Sequence, residues 1–286
     1  MRLAGITPIK AALLGAAFLF AALSACSTSG SFRSAQEIAV WARQHGFSEA
    51  NLSSDPIRFA TFTRKQLPAS DTLVIYIEGD GAAWPTPYHP PRDPTPTNPV
   101  ALGLAIADPA AAVVYLGRPC QYLDEEALRS CDSAYWTERR FAPEVVAAYD
   151  ELISRQKSAV AARRLRLFGY SGGGVLATLL AARRDDVELL VTVAAPLALA
   201  EWVAWHEATP LKGSIDPAEL RENIRLPRSQ HFAGGSDKTV PSSIVEAFIR
   251  RKGGRIETIP GFDHECCWVR DWARLLGRVN VQENAR

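Results

Sequence analysis

Short apolar runs alternate along the chain with amphipathic or Ala- and Leu-rich segments. The apolar runs predict strands, because a strand buried on both faces has no polar positions to alternate with. The apolar runs predict strands at 72–77, 112–116, 165–168, 188–195, 228–233 and 255–259. A segment at 56–63 that alternates apolar and polar residues predicts one more strand. The predicted helices are 35–45, 102–107, 141–157, 175–182, 241–251 and 267–276. This order of elements predicts an α/β fold.

Two segments interrupt the alternation. Residues 84–99 contain seven prolines, which exclude a helix or an inner strand and predict a rigid loop. Its side chains Trp84, Tyr88 and His89 are candidates for the wall of a pocket. Residues 197–226 carry tryptophans, prolines and a glycine without a clear period, and they predict a small cap-like insertion.

Length and composition narrow the class of protein. A chain of 286 residues suffices for one large domain with a sizeable core, which we expect at residues 35–286. An apolar content of 47% is ordinary for a globular protein. The net charge of +1 gives no indication of a nucleic acid or of an acidic partner.

The N-terminus has the pattern of a secretory signal. Arg2 and Lys10 supply positive charge, and the apolar run at 11–23 is short for a membrane span of roughly 20 residues. The sequence Leu-Ser-Ala-Cys that ends at Cys26 resembles the lipobox of bacterial lipoproteins, whose cysteine becomes lipid-modified. An ordinary signal peptide with an incidental cysteine is the alternative.

The lipobox resemblance implies a location of the protein in the cell. It divides the N-terminus into a signal peptide at 1–25 and a flexible tether at 26–34. We therefore expect an exported protein that a lipid on Cys26 anchors to the bacterial cell envelope, on its periplasmic side. Ser27, in place of an aspartate, favours the outer membrane if the organism is Gram-negative.

Four cysteines follow Cys26, namely Cys120, Cys131, Cys266 and Cys267. An exported protein can form disulfides, and four cysteines allow three connectivities. Local closure would pair Cys120 with Cys131 and leave a vicinal bridge, whereas the crossed pairings would join two distant loops. The sequence leaves the pairing open. No metal site is expected, because the chain has no C-x-x-C pair.

The strongest motif is Gly-Tyr-Ser-Gly-Gly at 169–173, which fits G-x-S-x-G. It follows a predicted strand and precedes a predicted helix, as this motif requires. Such a turn strains the backbone of the serine and lifts its hydroxyl out of the sheet edge. Ser171 is therefore a candidate nucleophile, and the amide of Gly172 is a candidate donor to an oxyanion.

A second glycine-rich turn follows an earlier strand. Glu78-Gly79-Asp80-Gly81 comes directly after the β-branched run at 72–77. The glycines leave the backbone free to turn an amide toward a site. The amide of Asp80 is the candidate second oxyanion donor, and that of Gly81 is the alternative.

An acid and a base come later in the chain. Asp237 lies in a glycine-rich loop after the strand at 228–233, just before a Val-Pro pair that opens a helix. His264 lies on the loop after the last strand. Asp263 is adjacent in sequence and so is poorly placed to orient the same ring, which favours Asp237. His206 is interpreted as a loop residue.

The order Ser171, Asp237, His264 is the nucleophile–acid–base order of the α/β-hydrolase family. Over roughly residues 55–280 the chain resembles this family, and in particular its lipid-anchored bacterial members. The resemblance implies a mostly parallel twisted sheet with helices on both faces, and hydrolysis without a cofactor. Glu78 departs from the His-Gly-x-Gly form of the oxyanion loop, which leaves the geometry of that loop open.

The motifs predict a serine hydrolase that acts on an ester, thioester or amide of a small acyl substrate, with a carboxylesterase favoured. A peptidase or an acyltransferase would use the same residues. A lipid-anchored scaffold with the same fold but no turnover is the hypothesis from a different class. Arg118, at the end of the strand at 112–116, could face a substrate anion, although an internal salt bridge is the commoner role of such a residue.

Overall fold

One eight-stranded sheet organises the chain. A computed structural model describes residues 31–54, 56–82 and 89–284. The strands are β1 (Phe47–Ser54), β2 (Ile57–Arg64), β3 (Thr72–Ile77), β4 (Val113–Leu116), β5 (Arg164–Tyr170), β6 (Val187–Val193), β7 (Arg228–Gly234) and β8 (Arg255–Ile259). Their order across the sheet is β1-β2-β4-β3-β5-β6-β7-β8. The five pairs from β4 to β8 are parallel, and the two pairs that involve β2 are antiparallel.

Helices cover both faces of the sheet. They are α1 (Ala35–Gln44), α2 (Val100–Ala107), α3 (Glu125–Leu128), α4 (Pro143–Ala159), α5 (Gly172–Ala181), α6 (Leu199–Trp205), α7 (Ser242–Lys252) and α8 (Trp268–Asn284). Two 3₁₀ turns lie at Ser133–Trp136 and Pro217–Glu219. The predicted α/β fold with a mostly parallel sheet is confirmed.

The central strands supply two separate cores. In β3, Val74 and Tyr76 pack into the core under α1, α2 and α8, whereas Leu73, Ile75 and Ile77 pack into the core under α4 and α5. Successive side chains of a strand point to opposite faces, so a strand with a core on each side must be apolar throughout. This explains the continuous apolar run in the sequence.

The edge strand β1 was not predicted from the sequence. It forms an antiparallel hairpin with β2, with Phe47 opposite Arg64 and Ser54 opposite Ile57. Its sequence FSEANLSS is mostly polar, and only its first and last residues are buried. Since one side of this edge strand has no neighbouring strand, pairing with β2 rather than burial decides its structure.

The helix α5 begins earlier than its sequence indicates. The periodic pattern predicts a start at residue 175, but the helix begins at Gly172 and includes three glycines. Glycine is a poor helix former, by about 1 kcal/mol relative to alanine. Close packing against the ends of β3 and β5 favours the absence of side chains there, and it overrides the local propensity.

The described cysteines form the local pairing. Cys120 is bonded to Cys131, and Cys266 is bonded to Cys267. The Cys120–Cys131 bond closes the segment that follows β4, where Trp136 and Leu123 form a small apolar cluster with Cys120. The crossed pairings are therefore not those of this structure.

Several expectations concern residues that the structure does not describe. The signal peptide, Cys26 and most of the tether precede residue 31, and Trp84 and Tyr88 lie within 83–88. These remain predictions. Within the described ranges, no helix combines the length and apolar character needed to cross a bilayer.

Trp272 on α8 is expected to be essential for stability. Its side chain is fully buried, its Nε1 donates to Tyr76 Oη at 2.9 Å, and its ring packs edge-on against Phe168 and Phe232. The substitution Trp272→Ala should lower the free energy of unfolding by about 3–5 kcal/mol, measured by urea denaturation. The control Val40→Ala, at an exposed position, should change it by less than about 0.5 kcal/mol. A loss at Trp272 below about 1 kcal/mol would contradict this expectation.

Candidate active site

Ser171 lies in a strained turn between β5 and α5. Its backbone has φ +49° and ψ −125°, in the region that residues with a side chain seldom adopt. The conformation is held by β6, because the Ser171 amide donates to the Val193 carbonyl at 2.8 Å. The serine side chain consequently projects at the carboxyl edge of the sheet, at the start of a helix.

Three side chains that are far apart in sequence meet at this edge. His264 Nε2 lies 3.1 Å from Ser171 Oγ, and His264 Nδ1 lies 2.9 Å from Asp237 Oδ2. A carboxylate only accepts hydrogen bonds, so the ring proton is on Nδ1 and Nε2 is free to accept from the serine hydroxyl. The structure thus brings together the three residues singled out in the sequence, in a geometry suited to proton transfer.

The loop after β7 fixes the carboxylate of Asp237. Its Oδ1 accepts from the amides of Thr239 and Val240, both at 2.8 Å, just before α7 begins. Its Oδ2 is thereby left for His264. The side chain has no solvent exposure, so the carboxylate is held in one orientation by its three partners.

The ring of His264 is held from its other side by β5 and α8. Tyr170 packs against it with ring centroids 5.3 Å apart, and Tyr170 Oη donates to the His264 carbonyl at 3.1 Å. Trp268 Nε1 donates to the same carbonyl at 2.9 Å. Asp263 accepts instead from the amides of Glu265 and Cys266. Tyr170 directly precedes Ser171, but no sequence pattern indicates this supporting role.

These side chains open into a cavity of about 350 Å³. Its lining is mixed in polarity, and Trp202 of the 197–226 segment contributes to it. A larger cavity of about 620 Å³ lies beside α3, but Ser171 and His264 do not line it. We place the candidate active site at the smaller cavity, because the nucleophile and the base converge there. In the described part of the chain, no group of residues has the composition of a metal site.

The loop after β3 forms the opposite wall. Gly79 lies against Tyr170 and Ser171, and the Asp80 carboxylate lies so close to Gly172 that any side chain at Gly172 would collide with it. Within residues 31–54, 56–82 and 89–284, the backbone amides of Asp80 and Gly172 donate to no acceptor. Two N–H groups beside the serine are therefore open for a ligand.

Gly81 lines the same cavity but packs closely against another loop. Its φ is +92°, and a side chain there would strike the Pro94 carbonyl and approach Gln121 Nε2 to 2.5 Å. The contacts of Gly81 are thus with the loops on the far side, whereas those of Asp80 are with Gly172. The contact with Gly172 places Asp80 next to the serine turn, so Asp80 stays the first candidate for the second donor and Gly81 the alternative.

Two arginines hold the Asp80 side chain. Arg118 Nη1 and Arg140 Nη1 each lie 2.7 Å from one of its carboxylate oxygens. Burial raises the pKa of Asp80, but the charges and hydrogen bonds of Arg140 and Arg118 outweigh burial and hold this pKa below its usual range. Arg118 is 2% exposed, so it makes an internal ion pair rather than facing a substrate anion. Arg140 has no sequence motif and was missed.

Glu78, which departs from the expected histidine, pins the same loop to helix α2. Its carboxylate accepts from the amides of Gly79 at 2.9 Å, Ala101 at 3.3 Å and Leu102 at 3.4 Å, and from Tyr115 Oη at 3.0 Å. It therefore caps the N-terminus of α2 from another element. Burial raises the pKa of Glu78 to about 7, although the hydrogen bonds it accepts oppose this shift.

The other histidines considered in the sequence lie elsewhere. His206 follows α6, and its Nε2 donates to the Thr239 carbonyl at 2.7 Å. It does not contact Ser171 or Asp237, in agreement with its interpretation as a loop residue. His89 is outside the lining of the cavity.

The fold resembles those of solved serine hydrolases. No protein-family model and no curated protein sequence matches the chain. An α/β serine hydrolase homologue from Coxiella burnetii is 14% identical, with a TM-score of 0.52 over 80% of this chain and 93% of its own. The esterase Pf2001 of Pyrococcus furiosus is 13% identical, with a TM-score of 0.54 over 83% and 92%. XC6422 from Xanthomonas campestris, described as a serine hydrolase without a lid, is 13% identical, with a TM-score of 0.51 over 81% and 90%.

The protein has an α/β-hydrolase fold. The fold class expected from the sequence is therefore confirmed, and the candidate site lies at the carboxyl ends of the strands, where open α/β sheets bind their ligands. At 13–14% identity these likenesses concern the fold, and the chemistry has to be argued from the site of this chain.

Glu78 should make stability depend on pH. Its pKa of about 7 in the folded state exceeds the ordinary value of 4.5, so folding favours the protonated form. This contribution is fully present below about pH 4.5 and is lost as the pH rises through about 7. Relative to Glu78→Gln, the wild type should lose about 3 kcal/mol of unfolding free energy across that interval, measured by urea denaturation.

The control for this measurement is Glu126→Gln, which replaces an exposed glutamate outside the site. The difference between that variant and the wild type should stay constant over the same interval. A difference between wild type and Glu78→Gln that does not change with pH would contradict the raised pKa.

Proposed function

We propose that the protein is a serine hydrolase, most simply a carboxylesterase, that cleaves its substrate through an acyl-enzyme on Ser171. The observation that carries the proposal is the continuous hydrogen-bonded set Ser171–His264–Asp237 beside two open backbone N–H groups. Each part answers a separate need of acyl transfer: a nucleophile, a base, an orienting acid and a place for negative charge.

In the first step, Ser171 Oγ attacks the carbonyl carbon while its proton moves to His264 Nε2. A serine hydroxyl alone is a poor nucleophile, so this transfer at 3.1 Å is required. Asp237 holds the proton on Nδ1 and stabilises the imidazolium that forms. The carbonyl electrons move onto the oxygen, which the amides of Asp80 and Gly172 receive.

The tetrahedral intermediate then collapses. The bond to the leaving group breaks, and the leaving group takes the proton from His264 Nε2. Water attacks the acyl-enzyme in the second half, with its proton passing to His264 and then to Ser171 Oγ as the acid is released. Each oxyanion donor is expected to be worth about 10²–10³ in turnover.

The same geometry bears on the rival hypotheses. An inactive scaffold would not need a serine in strained backbone, a base within hydrogen-bond distance and unsatisfied amides, and their coincidence supports an enzyme. A peptidase or an acyltransferase would use the same groups, so the substrate must separate them. The cavity of about 350 Å³ favours a small acyl group.

We also propose that Cys26 carries a lipid that anchors the domain to the cell envelope on the periplasmic side. The support is the Leu-Ser-Ala-Cys sequence after an apolar run of signal-peptide length. The anchor would keep the enzyme near membrane-associated esters while the tether leaves the domain free to turn.

Replacing Ser171 or His264 should abolish turnover without unfolding the protein. Ser171→Ala should lose labelling by a fluorophosphonate probe, and His264→Ala should lower kcat on p-nitrophenyl acetate by at least about 10³-fold, because neither variant can activate the nucleophile. Circular dichroism should show wild-type folding for both.

The matched control is His45→Ala, which removes an exposed histidine remote from the site. Its kcat should equal that of the wild type. A folded wild type that the probe does not label, or a His264→Ala variant with near-normal kcat, would refute the proposal.

Substrate class can be tested on the domain from residue 34. A series of p-nitrophenyl esters of increasing acyl length should show the highest kcat/KM for short chains, as the cavity volume indicates. Aminopeptidase substrates run in parallel should give no turnover. Faster cleavage of the amides would make the protein a peptidase instead.

Lipidation can be tested independently of activity. Growth of the producing bacterium with an alkyne-labelled palmitate should label the wild type, and Cys26→Ser should lose the label and leave the membrane fraction. Ser27→Ala, which keeps the cysteine, should remain labelled. If the wild type is unlabelled and is found outside the membrane fraction, the N-terminus is an ordinary signal peptide and Cys26 is not lipidated.

A further inference from the structure

Gln121 is a fully buried polar residue whose side chain contacts the loop that follows β3. It has no exposed surface, and it lies in the loop between β4 and α3. Its Oε1 accepts from the Arg118 amide at 2.9 Å. Its Nε2 donates to the Gly79 carbonyl at 3.1 Å and to the Pro94 carbonyl at 3.2 Å.

These three partners determine the orientation of the Gln121 amide. A backbone N–H can only donate and a backbone carbonyl can only accept, so the oxygen must face Arg118 and the nitrogen must face Gly79 and Pro94. Both hydrogens of Nε2 are used. The contact with Gly79 is therefore a directed hydrogen bond that the reverse orientation could not make.

The carbonyl of Gly79 and the amide of Asp80 belong to one peptide group. In a planar trans peptide the C=O and N–H point in opposite directions. The loop runs between the serine turn and Gln121, since Gly79 and Asp80 contact Ser171 and Gly172, whereas Gly81 contacts the Pro94 and Gln121 side. A carbonyl held toward Gln121 thus turns the Asp80 N–H toward Ser171.

The backbone on each side of Gln121 is strained. Cys120 has φ +68° and Tyr122 has φ +61°, values that cost about 1 kcal/mol or more for residues with side chains. Cys120 is held by its disulfide and by the hydrogen bond that its amide donates to the Arg58 carbonyl. The Tyr122 amide donates to Thr95 Oγ1 at 2.7 Å. Strain that the surroundings maintain around one buried side chain is typical of a functional position.

We propose that Gln121 is a positioning residue, which fixes the Gly79–Asp80 peptide so that the Asp80 N–H points at the forming oxyanion. This inference rests on the proposed function, because it concerns the stabilisation of the same intermediate. Gln121 itself does not touch the substrate. It acts through the peptide, which would otherwise be free to turn its carbonyl toward the serine.

The test is the variant Gln121→Glu, assayed at about pH 9, where an ionised carboxylate keeps the acceptor for the Arg118 amide and has no donor. A carboxylate would repel the Gly79 and Pro94 carbonyls, so the peptide should turn. We expect kcat on p-nitrophenyl acetate to fall about 10²-fold while KM changes less than about threefold, because the lost donor acts on the transition state. If the glutamate variant does not fold, the volume-matched Gln121→Met should show the same fall in kcat with a nearly unchanged KM.

The matched control is Tyr149→Phe. Tyr149 Oη donates to the Gly117 carbonyl at 2.6 Å, so this variant removes a buried hydrogen bond at the start of the same loop without touching Gly79. It should be destabilised to a similar degree and retain the wild-type kcat. An equal loss of kcat in Tyr149→Phe would mean that Gln121 has a structural role only, and would overturn the proposal.

Crystal structures of wild type and Gln121→Glu supply a readout that needs no activity. The Gly79 carbonyl should face residue 121 in the wild type and turn away from it in the variant. An unchanged peptide in the variant would overturn the proposal even if ester hydrolysis is normal. An inactive wild type with a peptide that turns in the variant would instead refute the proposed function and leave the role of Gln121 in setting the peptide supported.

Discussion

The need to satisfy buried polar groups at the carboxyl edge of the sheet governs the site. Loops that follow β3, β4, β5 and β8 meet there, and a buried backbone group without a partner costs about 1–3 kcal/mol. Glu78 accepts from the start of α2, and Gln121 donates to two carbonyls. Among the described residues, the amides of Asp80 and Gly172 are two that have no such partner, and they lie at the serine turn. These are the two amides that the proposed function assigns to the oxyanion.

The charged side chains at the site also have partners within the protein. The Asp80 carboxylate near Ser171 is matched by two arginines, so its negative charge is balanced within the protein. Glu78, with a pKa of about 7, is partly neutral near neutral pH. The buried Asp237 has a partner for each oxygen and shares one with His264. The other carboxylates near the serine are held within the protein too, since Glu265 accepts from Asn98 and Asp263 accepts from the Glu265 amide.

The sequence allowed the fold class, the chain order of the catalytic candidates and most strands to be predicted, because each depends on a local pattern. Continuous apolar runs mark strands with a core on both sides, and G-x-S-x-G marks a turn whose strain restricts its neighbours to small residues. The polar edge strand β1 and the first turn of α5 were missed, because pairing with β2 and close packing decide them. Arg140, Tyr170 and Gln121 belong to no motif, since their roles depend on distant partners.

By itself, the sequence indicated a candidate nucleophile, acid and base, and it showed that each follows a separate strand. Parallel strands end at one edge of a sheet, so convergence was implied by order alone. The sequence favoured Asp237 over Asp263, and the tertiary structure supplied the distance that joins it to His264. Only the tertiary structure decided that Arg118 is bound internally and that Glu78 caps α2. These outcomes depend on distances and directions between segments that are far apart in the chain. Hydrogen bonds are short and directional, so they distinguish between residues that look equivalent in the sequence.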